Sequence, residues 1–303
     1  MKRAVVVGAG EIGAGWAALF AAHGIDVTLV DPDPDALSRA EISLQEAQAL
    51  GVGTRTAGRF SATRDPEGAL PEADWIQEAT PEALELKQSL FARVESLASS
   101  DAIIASSTSS LTRAQLAQGM REPARLLIVH PLQPVYAVPS VEVNADDALP
   151  REVLERALSV LRSLGREPVL VTGDLPGLVA NRLTAAVLRE AFDLIARGVI
   201  HPADLDRLVA RGIALGWAVR GPLATEIIGA GLDAPDRLPQ ALDATLAPLW
   251  PSLARWSALD AAGRAALERA LGSSLGGMQK AHAAGESTWA ETLSRVARAA
   301  EAD

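Results

Sequence analysis

The stretch Arg3–Gly24, RAVVVGAGEIGAGWAALFAAHG, decides the fold of this chain. Its valines are typical of a buried strand and its alanines of a packed helix, and glycines separate the two. Gly8, Gly10 and Gly13 form the pattern G-x-G-x-x-G. In this pattern the first glycine permits a tight turn, the second lets the backbone approach a pyrophosphate, and the third lets helix and strand pack closely. The stretch therefore predicts a dinucleotide-binding loop between a strand and a helix.

An acid at the end of the next predicted strand completes this pattern. Asp31 follows Gly10 by 21 residues. A carboxylate at this place accepts hydrogen bonds from the adenosine ribose and repels a 2′-phosphate, which favours NAD over NADP. Arg39, on the following helix, is the residue that can soften this preference. Glu11 and Ile12 begin the helix whose N–H groups face the pyrophosphate, so we predict them as further cofactor contacts. The alternative is a strand-turn-helix that binds nothing.

Composition limits the classes of function that remain. The chain has 303 residues, of which 49% are apolar, and a net charge of −10 with mixed signs. This charge argues against a nucleic-acid-binding protein, which would show a basic face. Cysteine is absent, which excludes disulfides and thiolate chemistry. We see no signal peptide, no apolar run of about 18 residues that would span a membrane, and no metal site, and we expect a cytoplasmic protein.

Short β-branched runs alternate with helical patterns up to about Gly173. The predicted strands are Ala4–Val7, Asp26–Val30, Trp75–Gln77, Ala102–Ala105, Leu126–Val129, Val141–Val143 and Val169–Val171. The clearest helical patterns between them are Gly13–Ala22, Glu82–Ala98 and Glu152–Leu164. Apolar strands that alternate with helices indicate a doubly wound α/β fold with a parallel sheet covered on both faces.

The pattern changes after Gly173. A Pro-Gly turn at Pro176 opens a long amphipathic helix that Gly198 closes, and Pro202 begins another helix. No convincing strand follows. The sequence therefore predicts a Rossmann-type NAD-binding domain over residues 1–175 and an all-helical substrate and dimerisation domain over residues 176–303.

His130 is the candidate catalytic histidine. It ends the buried run RLLIVHP, at the sheet edge where α/β proteins bind ligands. Glu142 follows 12 residues later in the alternating strand PSVEVN, and a chain that folds back over Gln133–Ser140 brings the two together. An imidazole backed by a carboxylate is suited to remove a hydroxyl proton. The alternative is a hydrogen-bonded core histidine.

With these residues the chain resembles the L-3-hydroxyacyl-CoA dehydrogenase superfamily over nearly its full length. That family carries a catalytic Ser, His, Glu and Asn, which correspond here to Ser109, His130, Glu142 and Asn181. The matching stretches are SSTSSL, HPLQP, VEV and LPGLVANR. The resemblance implies that His130 is the general base, that Glu142 orients it, and that Ser109 and Asn181 bind the reacting oxygen. Alternatives are a helix cap for Ser109 and a buried packing role for Asn181.

Within the superfamily, the closer likeness is to the lambda-crystallin/L-gulonate 3-dehydrogenase and carnitine 3-dehydrogenase group. It rests on GAGEIGAGWA, IQEATPEALELKQSLFARVESL, RGIALGWAVRGPLATE and the C-terminal STWAETLSRVARA. The resemblance implies that Glu82 and Lys87 lie near the nicotinamide ribose, and we also predict Ser107 as a cofactor contact. Glu82 and Lys87 are alternatively solvated helix charges.

Two departures from the family pattern concern the substrate. Gln133 replaces an Asn near the catalytic His, so we predict it as a substrate contact. The segment of residues 51–59 is short and polar, whereas acyl-CoA members carry a longer helical insertion at this place that helps to hold CoA. This favours a small free acid, whose anion Arg182, Arg211 or Arg220 would bind.

The sequence thus predicts an NAD-dependent dehydrogenase of a small L-3-hydroxy acid, gulonate-like or carnitine-like, that forms a homodimer through its helical domain. A thioester substrate and a crystallin-like structural protein that binds NAD are the alternatives. The β-hydroxyacid dehydrogenases share the two-domain plan but use a catalytic Lys. No lysine lies between Lys87 and Lys280 in this chain, and position 177 is Gly. The catalytic Lys of that class therefore has no counterpart here, which disfavours this alternative.

Overall fold

The computed structural model describes residues 1–54, 56–229, 243, 244, 246–272, 274 and 276. The chain divides into two compact units, Met1–Arg182 and Leu183–Asp303. The first unit ends just inside a long helix, whereas the predicted boundary at residues 175–176 precedes that helix. The tail STWAETLSRVARA, which contributes to the crystallin likeness, lies outside the described residues.

The first unit contains one eight-stranded sheet in the order β3-β2-β1-β4-β5-β6-β7-β8. Its first six strands follow the order of the doubly wound Rossmann sheet. The strands are β1 (Arg3–Val7), β2 (Asp26–Val30), β3 (Phe60–Thr63), β4 (Trp75–Glu78), β5 (Ile103–Ser106), β6 (Leu126–Pro131), β7 (Ser140–Asn144) and β8 (Glu167–Leu170).

All seven predicted strands are present, and no end is shifted by more than two residues. The strand that the sequence pattern missed is β3, which is an outermost strand of the sheet. Its four residues are exposed or only half-buried, so they form no apolar run. The sheet is parallel, as predicted, except at one pair: β6 and β7 pair antiparallel. The loop between them is too short for the crossover that a parallel pair needs.

Helices cover the sheet and continue into the described part of the second unit. In the first unit they are α1 (Glu11–Ala22), α2 (Ala36–Ala49), α3 (Pro66–Ala69), α4 (Leu84–Leu97), α5 (Arg113–Leu116) and α6 (Arg151–Ser163). They continue with α7 (Ala180–Ala196), α8 (Pro202–Leu208), α9 (Ala214–Arg220) and α10 (Pro222–Gly229). A π-helical segment, Val209–Ile213, joins α8 to α9. The described part of the second unit contains no strand, and none of the described helices is long and apolar enough to cross a membrane.

One of the two large core clusters of the first unit forms where α1 lies against the sheet. Trp16 and Phe20 of α1 are fully buried, and their stacked rings have centroids 5.5 Å apart. The ring centroid of Phe20 lies 6.1 Å from that of Trp75 in β4. This close packing requires small residues at the start of the helix. A Cβ added to Gly13 would lie 1.9 Å from the carbonyl oxygen of Gly8, and Gly8 itself adopts a φ of 93°.

Gly13→Ala is therefore expected to destabilise the protein strongly, because the clash is with backbone that cannot move aside. Overpacking of this kind typically costs about 1–3 kcal/mol. Gly10→Ala is the matched control, since an added Cβ there has no neighbour within 4 Å. Urea unfolding of the two variants checks this, and equal stabilities would contradict the packing argument.

Candidate active site

The carboxyl ends of the parallel strands meet at one edge of the sheet. The strand order reverses between β1 and β4, which is the switch point where such sheets bind ligands. Gly8 follows β1 at this edge, Asp31 follows β2, and Glu78 and Ser106 end β4 and β5. His130 lies near the end of β6. Gly8 and Asp31, which are predicted to bind the cofactor, and His130, which is predicted to be the general base, thus lie at one edge of the sheet.

The glycine loop is held to the end of β2. The Gly8 N–H donates to the carbonyl of Val30 at 2.9 Å, and the Ala9 N–H donates to Oδ2 of Asp31 at 2.6 Å. Gly10 is exposed, with open space where a Cβ would stand. The loop therefore offers bare backbone and free helix N–H groups, the features that hold a pyrophosphate.

His130 and Glu142 lie directly opposite each other in the antiparallel β6–β7 pair. Nδ1 of His130 lies 2.9 Å from Oε2 of Glu142, and both side chains are buried. A carboxylate accepts hydrogen bonds only, so Nδ1 carries the proton and Nε2 is the basic nitrogen of the neutral ring. Nε2 makes no hydrogen bond to the residues that the structure describes. The pair can therefore take up a proton at Nε2.

The second oxygen of Glu142 binds the start of α7. Its Oε1 accepts the N–H of Val179 at 2.8 Å and that of Ala180 at 2.9 Å. Leu178, directly before them, is buried and has a φ of 48°, an uncommon conformation for a residue with a side chain. The chain thus bends sharply at the place where it aims two backbone donors at the carboxylate.

The Ser109 loop is fixed by Glu82. Oε1 of Glu82 accepts the hydroxyl proton of Thr108 at 2.6 Å and the N–H groups of Ser109 and Ser110 at 3.0 and 2.8 Å. Burial raises the pKa of Glu82, but these hydrogen bonds and the nearby Lys87 outweigh it and lower the pKa to about 2. Glu82 is therefore not a freely solvated helix charge. The Ser109 hydroxyl is exposed and has no hydrogen-bond partner among the described residues.

Asn181 reaches the same loop from α7. Its Nδ2 donates to the carbonyl oxygen of Ser109 at 2.9 Å. This contact uses one of the two amide protons, so the side chain keeps further hydrogen-bonding capacity. Asp174 holds the loop from the other side, since its carboxylate accepts the N–H groups of Arg113 and Ala114 at the start of α5.

Lys87 is buried, with 1% of its side chain exposed. Its Nζ lies 2.6 Å from Oε1 of Glu78 and 3.4 Å from Oε2 of Glu82, and it donates to the Thr80 carbonyl at 3.1 Å. Sequence reasoning missed Glu78 as the partner of this lysine. The available signal was an acid at the end of a buried strand, where a charge needs a partner.

Ser107 belongs to a buried polar network. Its hydroxyl oxygen accepts from Nε1 of Trp16 at 3.0 Å and from Nε2 of Gln77 at 2.8 Å. Both partners are donors, so the hydroxyl proton of Ser107 is left for another acceptor. The roles of Gln77 and Trp16 were not foreseen, because their hydrogen bonds cross between elements distant in sequence.

The loop after His130 is clamped from several sides. Val135 packs against Gly15 so closely that a Cβ on Gly15 would lie 2.9 Å from the Val135 Cβ. The buried Arg166 donates to the carbonyls of Val135 and Val138 at 3.1 and 2.7 Å, and burial lowers the pKa of this arginine to about 10. Gln133, at the start of this loop, is exposed.

The remaining predicted site residues are more scattered. Glu11 is exposed in the first turn of α1, and Ile12 packs partly against the core. Arg182 lies near the start of α7, whereas Arg211 and Arg220 are exposed in the second unit. The described residues contain no group of three or more side chains suited to hold a metal ion.

Comparison with known families matches both parts of the chain. Residues 3–175 match the model of the 3-hydroxyacyl-CoA dehydrogenase NAD binding domain. Residues 177–269 match the model of the C-terminal domain of the same family. The glycine loop and the residues at the sheet edge fit the dinucleotide that the first description names.

Individual proteins extend this likeness. A 3-hydroxyacyl-CoA dehydrogenase of Gibberella moniliformis is 37% identical over 76% of this chain and 73% of its own length. An L-carnitine dehydrogenase of Oceanobacillus iheyensis is 35% identical over 76% of this chain and 77% of its own length. Among solved structures, FHMPC 5-dehydrogenase, an NAD+-dependent dismutase, superposes with a TM-score of 0.82 at 28% identity, covering 100% of this chain and 99% of that one. By sequence and by fold, the chain belongs to the 3-hydroxyacyl-CoA dehydrogenase family.

Proposed function

We propose that this protein oxidises the 3-hydroxyl group of a small L-3-hydroxy acid with NAD as hydride acceptor. The observation that carries the proposal is the 2.9 Å contact between Nδ1 of His130 and Oε2 of Glu142. It leaves Nε2 as a base at the edge of the sheet that also carries the glycine loop. General-base help of this kind typically contributes about 10²- to 10⁴-fold in rate.

In the proposed reaction the substrate hydroxyl gives its proton to Nε2 of His130. When bound, NAD supplies the acceptor for the hydride that leaves the same carbon, so the alcohol becomes a ketone. Glu142 keeps the imidazole in the tautomer with Nδ1 protonated, and it stabilises the imidazolium that forms. In reduction, the His130 imidazolium returns the proton.

We assign the positioning of the reacting oxygen to Ser109 and Asn181. The free hydroxyl of Ser109 and the unused amide proton of Asn181 support this role, since both can donate to an alkoxide-like oxygen. The contact of Asn181 with the Ser109 carbonyl and the grip of Glu82 on the loop hold these donors in place before substrate arrives. Preformed geometry of this kind lowers the entropic part of the barrier.

The substrate class is supported by the segment between α2 and β3. Residues 50–54 and 56–59 form no helix there, so the helical insertion that serves CoA in acyl-CoA members is missing here. The L-carnitine dehydrogenase relatives favour a free acid, whereas the 3-hydroxyacyl-CoA dehydrogenase relative favours a thioester. We propose the free acid, with Arg182, Arg211 or Arg220 as the partner of its carboxylate and Gln133 as a further substrate contact.

We also propose that the protein is a cytoplasmic homodimer, with a cofactor domain over residues 1–175 and a substrate and dimerisation domain over residues 176–303. Exposed apolar side chains of the helices support the dimer, since Leu183 and Val187 are 59% and 44% exposed one turn apart on α7. The likeness to lambda-crystallin rests in part on residues that the structure does not describe, and a structural role stays a prediction.

The substrate proposal predicts saturable reduction of NAD with free 3-hydroxy acids such as L-carnitine and L-gulonate. It predicts no comparable turnover with 3-hydroxybutyryl-CoA. The absorbance of reduced nicotinamide measures this. His130→Ala and Glu142→Gln are expected to lower kcat by about 10²-fold or more, as the loss of a general base does.

NAD binding by calorimetry provides the control for these variants. Both should bind NAD as the wild type does, whereas Gly10→Ala should lose NAD affinity while its stability is unchanged, because its methyl group occupies the path of the pyrophosphate. Turnover confined to CoA esters would overturn the free-acid assignment. Full activity of His130→Ala would overturn the mechanism.

Glu82→Gln is expected to change how stability depends on pH. The pKa of Glu82 falls from 4.5 to about 2 on folding, so its carboxylate stabilises the fold above pH 4.5, and this contribution is lost as the pH falls toward 2. The melting temperatures of wild type and variant should therefore differ at neutral pH and converge in acid. Glu85→Gln, at an exposed position of α4, is the control and should show no such convergence.

The dimer proposal predicts that the double variant Leu183→Glu, Val187→Glu sediments as a monomer, because two charges would enter an apolar contact. Arg189→Glu changes the charge of the same helix at an exposed polar position and should stay dimeric. A wild-type monomer, or a dimeric double variant, would contradict this interface.

A further inference from the structure

Two side chains grip the peptide between the first two glycines of the loop. The Ala9 N–H donates to Oδ2 of Asp31 at 2.6 Å, and the Ala9 carbonyl accepts from Nε of Arg39 at 2.7 Å. Ala9 is fully buried. An acid from the end of β2 and a base from α2 therefore both reach the segment on which a dinucleotide would lie.

The charge of Arg39 is already partnered. Its Nη1 lies 2.7 Å from Oδ2 of Asp33, whose Oδ1 accepts the N–H of Asp35 at 3.0 Å. Hydrogen bonds from Asp35 and from Arg39, aided by the charge of Arg64, hold the pKa of Asp33 below its usual value. The carboxylate of Asp33 is thus charged at neutral pH and faces the guanidinium.

Asp31 differs from Asp33 in its partners. Among the residues that the structure describes, its two oxygens accept only backbone N–H groups, those of Ala9 and Asp33. Each oxygen has a second lone pair, so Asp31 remains able to accept from ribose hydroxyls. Arg39 pairs with Asp33 and not with Asp31, so the carboxylate of Asp31 opposes a phosphate at this place.

We propose that Asp33 determines cofactor specificity because its carboxylate pairs with the guanidinium of Arg39. Without this ion pair, Arg39 would be a binding site for the 2′-phosphate of NADP. The hydrogen bond from Nε of Arg39 to the Ala9 carbonyl anchors the guanidinium near Asp31, whose carboxylate would bind the ribose. In NADP-binding sheets an arginine in this region accommodates the 2′-phosphate. Removing the Asp33 charge frees Nη1 without moving this anchor. The inference rests on dinucleotide binding at the glycine loop and on no catalytic step of the proposed function.

The partners are accessible enough for this exchange. The side chains of Arg39 and Asp33 are 36% and 42% exposed, and an exposed ion pair holds its members only weakly. A 2′-phosphate offers Arg39 a stronger, doubly charged partner once Asp33 no longer competes. The substitution Asp33→Asn retains an oxygen for the Asp35 N–H but turns an amide donor toward Arg39, which separates the pair.

The test measures binding by calorimetry to the protein without cofactor. The probes are adenosine 2′,5′-bisphosphate, which carries the 2′-phosphate, and AMP, which lacks it. Asp33→Asn is expected to raise the ratio of their affinities about tenfold toward the bisphosphate. The double variant Asp33→Asn, Arg39→Gln should lose this gain. Glu41→Gln removes one exposed acid from the same helix and should leave the ratio near that of the wild type.

The outcomes separate this inference from the proposed function. An unchanged ratio in Asp33→Asn, an equal rise in Glu41→Gln, or a gain that persists without Arg39 would overturn the role of Asp33. Failure of AMP to bind the wild type would overturn the site itself. Normal AMP binding without turnover of any 3-hydroxy acid would refute the catalytic proposal and leave the specificity argument standing. Melting curves of each variant establish that it is folded, with Asp33→Ser as a second variant if needed.

Discussion

The geometry of the candidate active site in the first unit depends on Glu142. One of its oxygens contacts the imidazole of His130, and the other accepts two backbone N–H groups at the start of α7. The first N–H groups of a helix have no partner within the helix, so Glu142 supplies the acceptor that these two need. A single carboxylate thus fixes the ring orientation of His130 and the position from which Asn181 projects.

Other acids of this edge work in the same manner. Glu82 and Asp174 hold the two sides of the Ser109 loop through backbone N–H groups, and Glu78 neutralises the buried Lys87. Hydrogen bonds to charged groups are roughly twice as strong as neutral ones. The contact between Glu78 and Lys87 is also buried, which strengthens it further. The edge is therefore ordered by carboxylates that bind the protein itself, which leaves the hydroxyl of Ser109 and Nε2 of His130 available to a ligand.

Local pattern was enough to predict most of the fold. The glycine spacing and the apolar runs located α1 and seven of the eight strands, since most of these elements are buried and their periodicity is clear. The edge strand β3 escaped because it buries little. Contacts between distant segments were beyond this reasoning: Glu78 with Lys87, Gln77 with Ser107, and Arg166 with the loop after His130 depend on how elements pack. The roles predicted for the site residues stay predictions.

The contact between Gly15 and Val135 links the helix of the glycine loop to the loop after His130. The helix that begins at the glycine loop and the loop that carries Gln133 touch without space for one additional methyl group. The size of the residue at position 15 therefore limits the size of the residue at position 135, and the two positions are expected to change together. A chimera that takes its nucleotide-binding start from one relative and its histidine loop from another must transfer the residue at position 15 together with its partner at position 135.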